Sequence, residues 1–171
     1  MPLIILLTLA LLSGCVSHKE HVYEIEIYND VGDQLGEVTF KEVPDGVNMK
    51  IDIEGLSSGY HGLHIHENPE CEGPKFITAG DHLNPDDNKH GLLHPKGSHL
   101  GDLPNIEVDG SGKVDVELII PKATLKEGRY SLVHNDGSSL IITEDPDDGM
   151  TQPSGESGER IACGVLKEND S

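Results

Sequence analysis

The chain has 171 residues and carries 12 Lys and Arg against 31 Asp and Glu, a formal charge of −19 with histidines neutral. That balance excludes a nucleic-acid binder, because phosphate recognition draws its affinity from clustered Lys and Arg, and it disfavours attraction to anionic lipid headgroups. With no Trp, two Phe and four Tyr, the core must be built mostly from Val, Ile and Leu, which suits a β-sandwich or barrel; the length fits one domain.

The N-terminus reads as an address. Residues 3–12 (LIILLTLALL) are too short to span a bilayer, for which a helix needs about 20 apolar residues, and match the apolar core of a signal peptide. Only Met1 and Pro2 precede the run, so the usual positive charge is missing. Leu12-Ser13-Gly14-Cys15 resembles the bacterial lipobox, in which the cysteine is lipidated and becomes the mature N-terminus. The expected organisation is a lipoprotein signal peptide over 1–14, a short tether over 15–20 and one domain over 21–168. The protein is then exported and anchored through Cys15 to the outer face of a bacterial membrane, facing cell surface or periplasm, and touches the membrane only through that lipid. Cys71 and Cys163 remain, and two thiols in an exported chain are most simply a disulfide.

Beyond the tether the pattern has period 2. Tyr23, Ile25 and Ile27 alternate with Glu24 and Glu26, as on a half-buried strand. Val47, Met49, Ile51 and Ile53 repeat the alternation after the turn residues Pro44-Asp45-Gly46, and Val114, Val116 and Leu118 do so again after Asp109-Gly110-Ser111-Gly112. Leu132-Val133 and Leu140-Ile141-Ile142 flank Asn135-Asp136-Gly137, which predicts a hairpin. The fold expected is all-β, a Greek-key barrel or sandwich of about eight antiparallel strands. Two stretches, 67–105 and 144–159, break the rhythm as long loops, and such loops in a compact domain usually carry function.

The histidines are ordered. In His61-Gly62-Leu63-His64-Ile65-His66, a strand puts His64 and His66 on one face and Leu63 and Ile65 on the other. His82, His90, His99 and Asp102 follow in the first loop. Three imidazoles and a carboxylate are a donor set that Zn²⁺ accepts in tetrahedral geometry, at about 2.0 to 2.2 Å from each donor. Four protein ligands close such a site and make it structural, which argues against a zinc hydrolase with an open position for water.

The stretches HGLHIHE (61–67), AGDHLNP (79–85), KHG (89–91), HLGDLPN (99–105) and PSGESGERIACG (153–164) resemble the copper/zinc superoxide dismutases over most of the exported chain. The resemblance implies that His64, His66 and His82 bind copper and that His82 bridges to zinc. His90, His99 and Asp102 complete the zinc site, and Cys71 and Cys163 form the family disulfide. Arg160 matches the arginine that positions superoxide, and Asp147 matches the carboxylate that hydrogen-bonds ligand histidines of both metals. His61 matches a structural position, and His94 has no counterpart.

Two departures bear on activity. The family's last copper ligand is a histidine four residues before the first Asp of the Asp147-Asp148 pair, and that position is Thr143, a poor copper donor beside an imidazole. His134, just before the predicted turn, is not placed to substitute. The loop that the family lines with Lys here holds Glu144, Asp145, Asp147, Asp148, Glu156 and Glu159 and no Lys or Arg, while Asp81 stands where the family usually has Gly. Two readings follow: a metalloprotein that dismutes superoxide to dioxygen and hydrogen peroxide weakly, or a non-catalytic zinc-stabilised relative that binds copper or serves structurally.

Overall fold

The computed structural model describes residues 21–168. The expectations for the leader and for Cys15 lie outside the described residues. Among the described residues there are nine strands: β1 (Val22–Asn29), β2 (Gln34–Val43), β3 (Gly46–Glu54), β4 (Gly59–His61), β5 (Leu63–His66), β6 (Ile106–Val108), β7 (Lys113–Pro121), β8 (Ser138–Thr143) and β9 (Arg160–Leu166). A single 3-10 turn, Ile77–Ala79, is the one helical element among the described residues, where no helix is long and apolar enough to cross a membrane.

The alternating stretches form the antiparallel meander β1–β2–β3–β7. Ile25 faces Val38, Val38 faces Ile51, and Ile51 faces Val116, so each apolar set lands on the same side of the sheet. The full order is β5-β8-β9-β1-β2-β3-β7, with β4 and β6 paired separately. The chain therefore crosses twice between the sheet's ends, from β3 to β5 and from β7 to β8. β4 runs into β5 through Gly62, and β6 leads to β7 through the Asp109–Gly112 turn, whose Asp109 amide donates to Lys113 O at 3.0 Å. The β4–β6 pair thus links the two edge strands and closes the Greek-key barrel. Its core holds Ile27, Val38, Phe40, Met49, Ile51, Leu63, Ile65, Leu140 and Ile142, all buried.

The predicted hairpin into β8 is not formed. Asn135 and Asp136 do adopt left-handed backbone angles, and the Gly137 amide closes a turn on His134 O at 3.0 Å. Leu132 and Val133, however, belong to a loop that bonds to itself, Thr124 N–H to Tyr130 O and Leu132 N–H to Thr124 O. The Glu42 carboxylate holds the same loop by accepting from Thr124 Oγ1 and the Leu125 amide. The physical reason is that β8 is an interior strand: β5 and β9 occupy both of its sides, so a hairpin partner has no ladder to join. Nine strands among the described residues agree with the expected number of about eight; His61–His66 is divided between two of them, breaking at Gly62, whose amide donates to Asp145 O at 3.0 Å.

Candidate metal centre

The free edge of β5 assembles the site. Ile65 N–H donates to Gly101 O at 2.9 Å, Leu83 N–H to Ile65 O at 2.8 Å, and Glu67 N–H to Asp81 O at 3.0 Å. Two segments of the 67–105 loop are thereby laid along β5, so that His82 lies beside His66 and Asp102 beside His64. The core fixes which face is available, since Leu63 and Ile65 are fully buried among the apolar side chains and His64 and His66 must project together on the other side.

Two donor groups result, with ligand atoms within 4.8 Å of one another in each: His82, His90, His99 and Asp102, and His64, His66 and His82. His82 belongs to both. In the first group Asp102 Oδ1 lies 2.8 Å from His82 Nδ1, 3.0 Å from His90 Nδ1 and 3.2 Å from His99 Nδ1. Asp102 Oδ2 accepts from the Gly91 and His99 amides at 2.8 and 2.9 Å. Burial by itself would raise the Asp102 pKa, but the bonds from His82 and His99 outweigh it and hold the carboxylate well below the usual range.

In the second group the ring tautomers follow from the partners. His64 Nε2 donates to Asp147 Oδ2 at 2.7 Å, which leaves the Nδ1 lone pair for a ligand. His66 Nδ1 donates to Gly80 O at 2.9 Å, which leaves Nε2. Burial, reinforced by neighbouring His82, pushes His66 down to about 2, and burial pushes His82 down to about 4. Neutral imidazole is the form that binds metal.

These residues fit zinc and copper. His64 Nδ1 is buried without a hydrogen-bond partner, a costly arrangement unless another group satisfies it, and it sits in a converging donor set. Three imidazoles with a carboxylate suit Zn²⁺, and an all-imidazole set suits copper.

Asp147 spans the two groups, accepting from His64 Nε2 at 2.7 Å and from His90 Nε2 at 3.1 Å. Gly155 permits this approach: a Cβ there would lie 2.0 Å from Asp147 Oδ1. Arg160 opens β9 half-buried, its two terminal nitrogens donating to Phe76 O at 2.7 Å and to Gly80 O at 2.8 Å. The Cys71–Cys163 disulfide, with Cα atoms 5.8 Å apart, ties that loop to β9.

Thr143 is buried at the end of β8, opposite Arg160 across a bulge. Its amide donates to Gly62 O at 3.0 Å. Gly62, two residues before His64, puts Thr143 on the histidine face, where its hydroxyl donates to Asp145 O at 3.2 Å. His61 is buried with Nδ1 2.8 Å from Thr143 O and Nε2 2.9 Å from Ser57 O, a brace between β4 and β8. His134 is exposed and His94 partly so, and neither joins a donor group among the described residues.

Sequence reasoning assigned no role to two side chains that hold the site. Asn105 accepts from Asp147 N–H and donates to Asp147 O, both at 2.9 Å. Gln152 does the same for His90, accepting from its amide at 3.0 Å and donating to its carbonyl at 2.9 Å. Asn105 lies within the HLGDLPN stretch, which could have flagged it; Gln152 had no such signal.

Residues 34–166 match the family model described as copper/zinc superoxide dismutase. The chain is 42% identical over 144 residues to a copper/zinc superoxide dismutase of Aquifex aeolicus, covering 83% of this chain and 84% of that protein. A double mutant of a superoxide dismutase-like protein from Bacillus subtilis, with a tyrosine and a proline each replaced by histidine, superposes with a TM-score of 0.83 at 42% identity, over 85% of this chain and 97% of that one. The copper/zinc superoxide dismutase from Brucella abortus superposes with a TM-score of 0.70 at 32% identity, over 85% and 99%. Fold, donor sets, disulfide and kinship agree on the metals, copper and zinc, and the chain belongs to the copper/zinc superoxide dismutase family.

Proposed function

We propose that this protein is a zinc-stabilised superoxide dismutase of attenuated activity, exported and held at a membrane by a lipid on Cys15. The reaction converts two superoxide ions and two protons to dioxygen and hydrogen peroxide. The observation that carries the reading is Thr143: it stands on the histidine face beside Gly62 and offers a neutral hydroxyl committed to Asp145 O where the family supplies an imidazole.

Copper, when bound, supplies the one-electron couple that makes the two half-reactions possible. His64, His66 and His82 would hold it, and His82, His90, His99 and Asp102 would hold zinc in a closed, structural site. Asp147 orients His64 and His90 from behind, a role that fixes tautomer and ring angle. Gly80 O fixes His66, and Arg160, anchored on the same carbonyl, presents a cation to the incoming anion. With three imidazoles in place of four, the donor set would favour Cu(I), which two or three nitrogens satisfy, over Cu(II), and the half-reaction hindered would be the one that reduces superoxide to hydrogen peroxide and restores Cu(II).

A second reading, a non-catalytic copper-binding relative, is favoured by one observation: the 144–159 loop is acidic and lacks Lys and Arg. The name of the Bacillus subtilis relative, superoxide dismutase-like, fits it as well. The deciding experiment measures superoxide decay per bound copper on protein beginning after Cys15, oxidised and loaded with zinc and then copper, with Thr143→His as reference. Attenuated catalysis predicts decay above free copper yet at least about tenfold slower than Thr143→His. Equal rates would remove Thr143 as the limiting feature, and no decay in the native sequence would establish the second reading.

A further inference from the structure

One carbonyl, that of Gly80, carries two functional side chains: it accepts from His66 Nδ1 at 2.9 Å and from Arg160 Nη2 at 2.8 Å. The next residue in the chain is Asp81, which is exposed. Glu67, also exposed, lies across from it; the Glu67 amide donates to Asp81 O at 3.0 Å and the Asp81 amide reaches Glu67 Oε1 at 3.4 Å. Two carboxylate residues therefore directly follow His66 and directly precede His82, on the segment that anchors Arg160.

Arg160 cannot swing away from them. Its guanidinium has five N–H donors, and bonds from both terminal nitrogens to Phe76 O and Gly80 O fix its plane. Asp81 directly follows the Gly80 carbonyl that Arg160 holds, and its negative charge favours the charged guanidinium while burial works the other way.

We infer that Asp81 sets the charge selectivity of the copper-side mouth, its carboxylate offsetting the fixed Arg160 cation so that small anions are held weakly there. The inference deepens the attenuated-dismutase reading and rests on it only for naming superoxide as the anion affected. Attenuation then has two separable sources: Thr143 limits the metal's redox cycle, and Asp81 limits the capture of substrate.

The test uses ¹⁵N-labelled protein loaded with zinc alone and titrated with inorganic phosphate at low ionic strength, with the Arg160 Nε–H resonance as the readout. Asp81→Asn is expected to bind phosphate about fivefold more tightly than the native sequence, the change produced by removing one nearby unit charge in largely aqueous surroundings. Glu24→Gln removes the same charge from an exposed position on β1 and is expected to leave the native midpoint unchanged. Asp81→Gly provides a second variant and is expected to match Asp81→Asn. Native affinity in both Asp81 variants, or an equal gain in Glu24→Gln, would overturn the proposal. Because no copper is present, a gain confined to the Asp81 variants would support charge selection even if superoxide decay had failed to appear.

Discussion

Thr143 lies directly across from Gly62, and the absence of a side chain on the glycine is what lets them meet: a Cβ on Gly62 would stand 2.3 Å from Thr143 Oγ1 and 3.2 Å from His64 Cε1. Gly62→Ala is therefore expected to cost about 1 to 3 kcal/mol, the usual range for overpacking, and to weaken copper binding by displacing His64. Thr143→Ala removes the clashing oxygen and should return much of the loss. The check is a double-mutant cycle in denaturant unfolding; strictly additive losses would mean that the two side chains do not share the space.

Asp147 holds one histidine from each donor group, His64 and His90, and also accepts from the Gly149 amide at 2.6 Å. Asp147→Asn keeps the shape but replaces one acceptor with a donor that faces an imidazole N–H. Loss of such an orienting partner typically costs 10- to 100-fold in metal affinity, and here both metals should weaken together. Competition with chelators, run separately for zinc and copper, provides the measurement. A fall in only one affinity would show that Asp147 serves a single site.

Most of this was legible in the sequence where the signal was local. The Tyr23–Ile27 and Val47–Ile53 alternations became β1 and β3, and the shared face of His64 and His66 followed from the two-residue strand period. Leu132–Val133 was misread because a good turn motif cannot report that β8 already has β5 and β9 on either side. The role of Gly80 was illegible for a different reason. It acts through its carbonyl oxygen, which every residue has, and only the folded loop brings His66 and Arg160 to it.

Acid should destabilise the metal-free protein well before carboxylates titrate. Burial holds folded His82 at about 4 and, with the nearby His82 ring, holds His66 at about 2, against an ordinary value of 6.5. Below pH 6.5 the unfolded chain takes up protons that the folded chain excludes, and stability rises with pH wherever the unfolded state binds more protons. Stability is thus lost as pH falls from 6.5 toward 4. Asp102 and Asp147 add to the loss below their ordinary value of 3.8. Burial would raise both, but histidine and amide bonds outweigh it and keep them lowered, so their contributions are present above 3.8 and vanish beneath it. Thermal melts of metal-free protein should fall between pH 7 and 5 and fall more steeply below 4; a flat profile from 7 to 5 would contradict this account.

The disulfide should matter to the site as well as to the fold. It closes a sequence separation of 92 residues, for which chain entropy predicts about 4 to 5 kcal/mol. Phe76 and Ala79 pack against Cys163 in a small buried cluster of their own, and Phe76 O and Gly80 O hold Arg160. In the Cys71→Ser, Cys163→Ser double variant, the denaturant midpoint should drop and the Arg160 Nε–H resonance should broaden or shift. A lower midpoint with an unchanged Arg160 signal would confine the disulfide to stability.

Salt should speed the reaction. Superoxide is an anion approaching a protein of formal charge −19 whose 144–159 loop has acids at Glu144, Asp145, Asp147, Asp148, Glu156 and Glu159 and no Lys or Arg. A cleft speeds an ionic substrate only when its field attracts that substrate; here the summed field repels it, and Arg160 is locally offset by Asp81. The Debye length shrinks from about 30 Å at 0.01 M salt to about 8 Å at 0.15 M, so distant repulsion is screened before the short-range attraction to Arg160. Superoxide decay by the copper- and zinc-loaded protein, followed across that range, is expected to rise, and the Thr143→His variant should show the same slope from a higher starting rate. A rate that falls steeply with salt in either protein would mean that an attractive local field at the mouth outweighs the acidic surface.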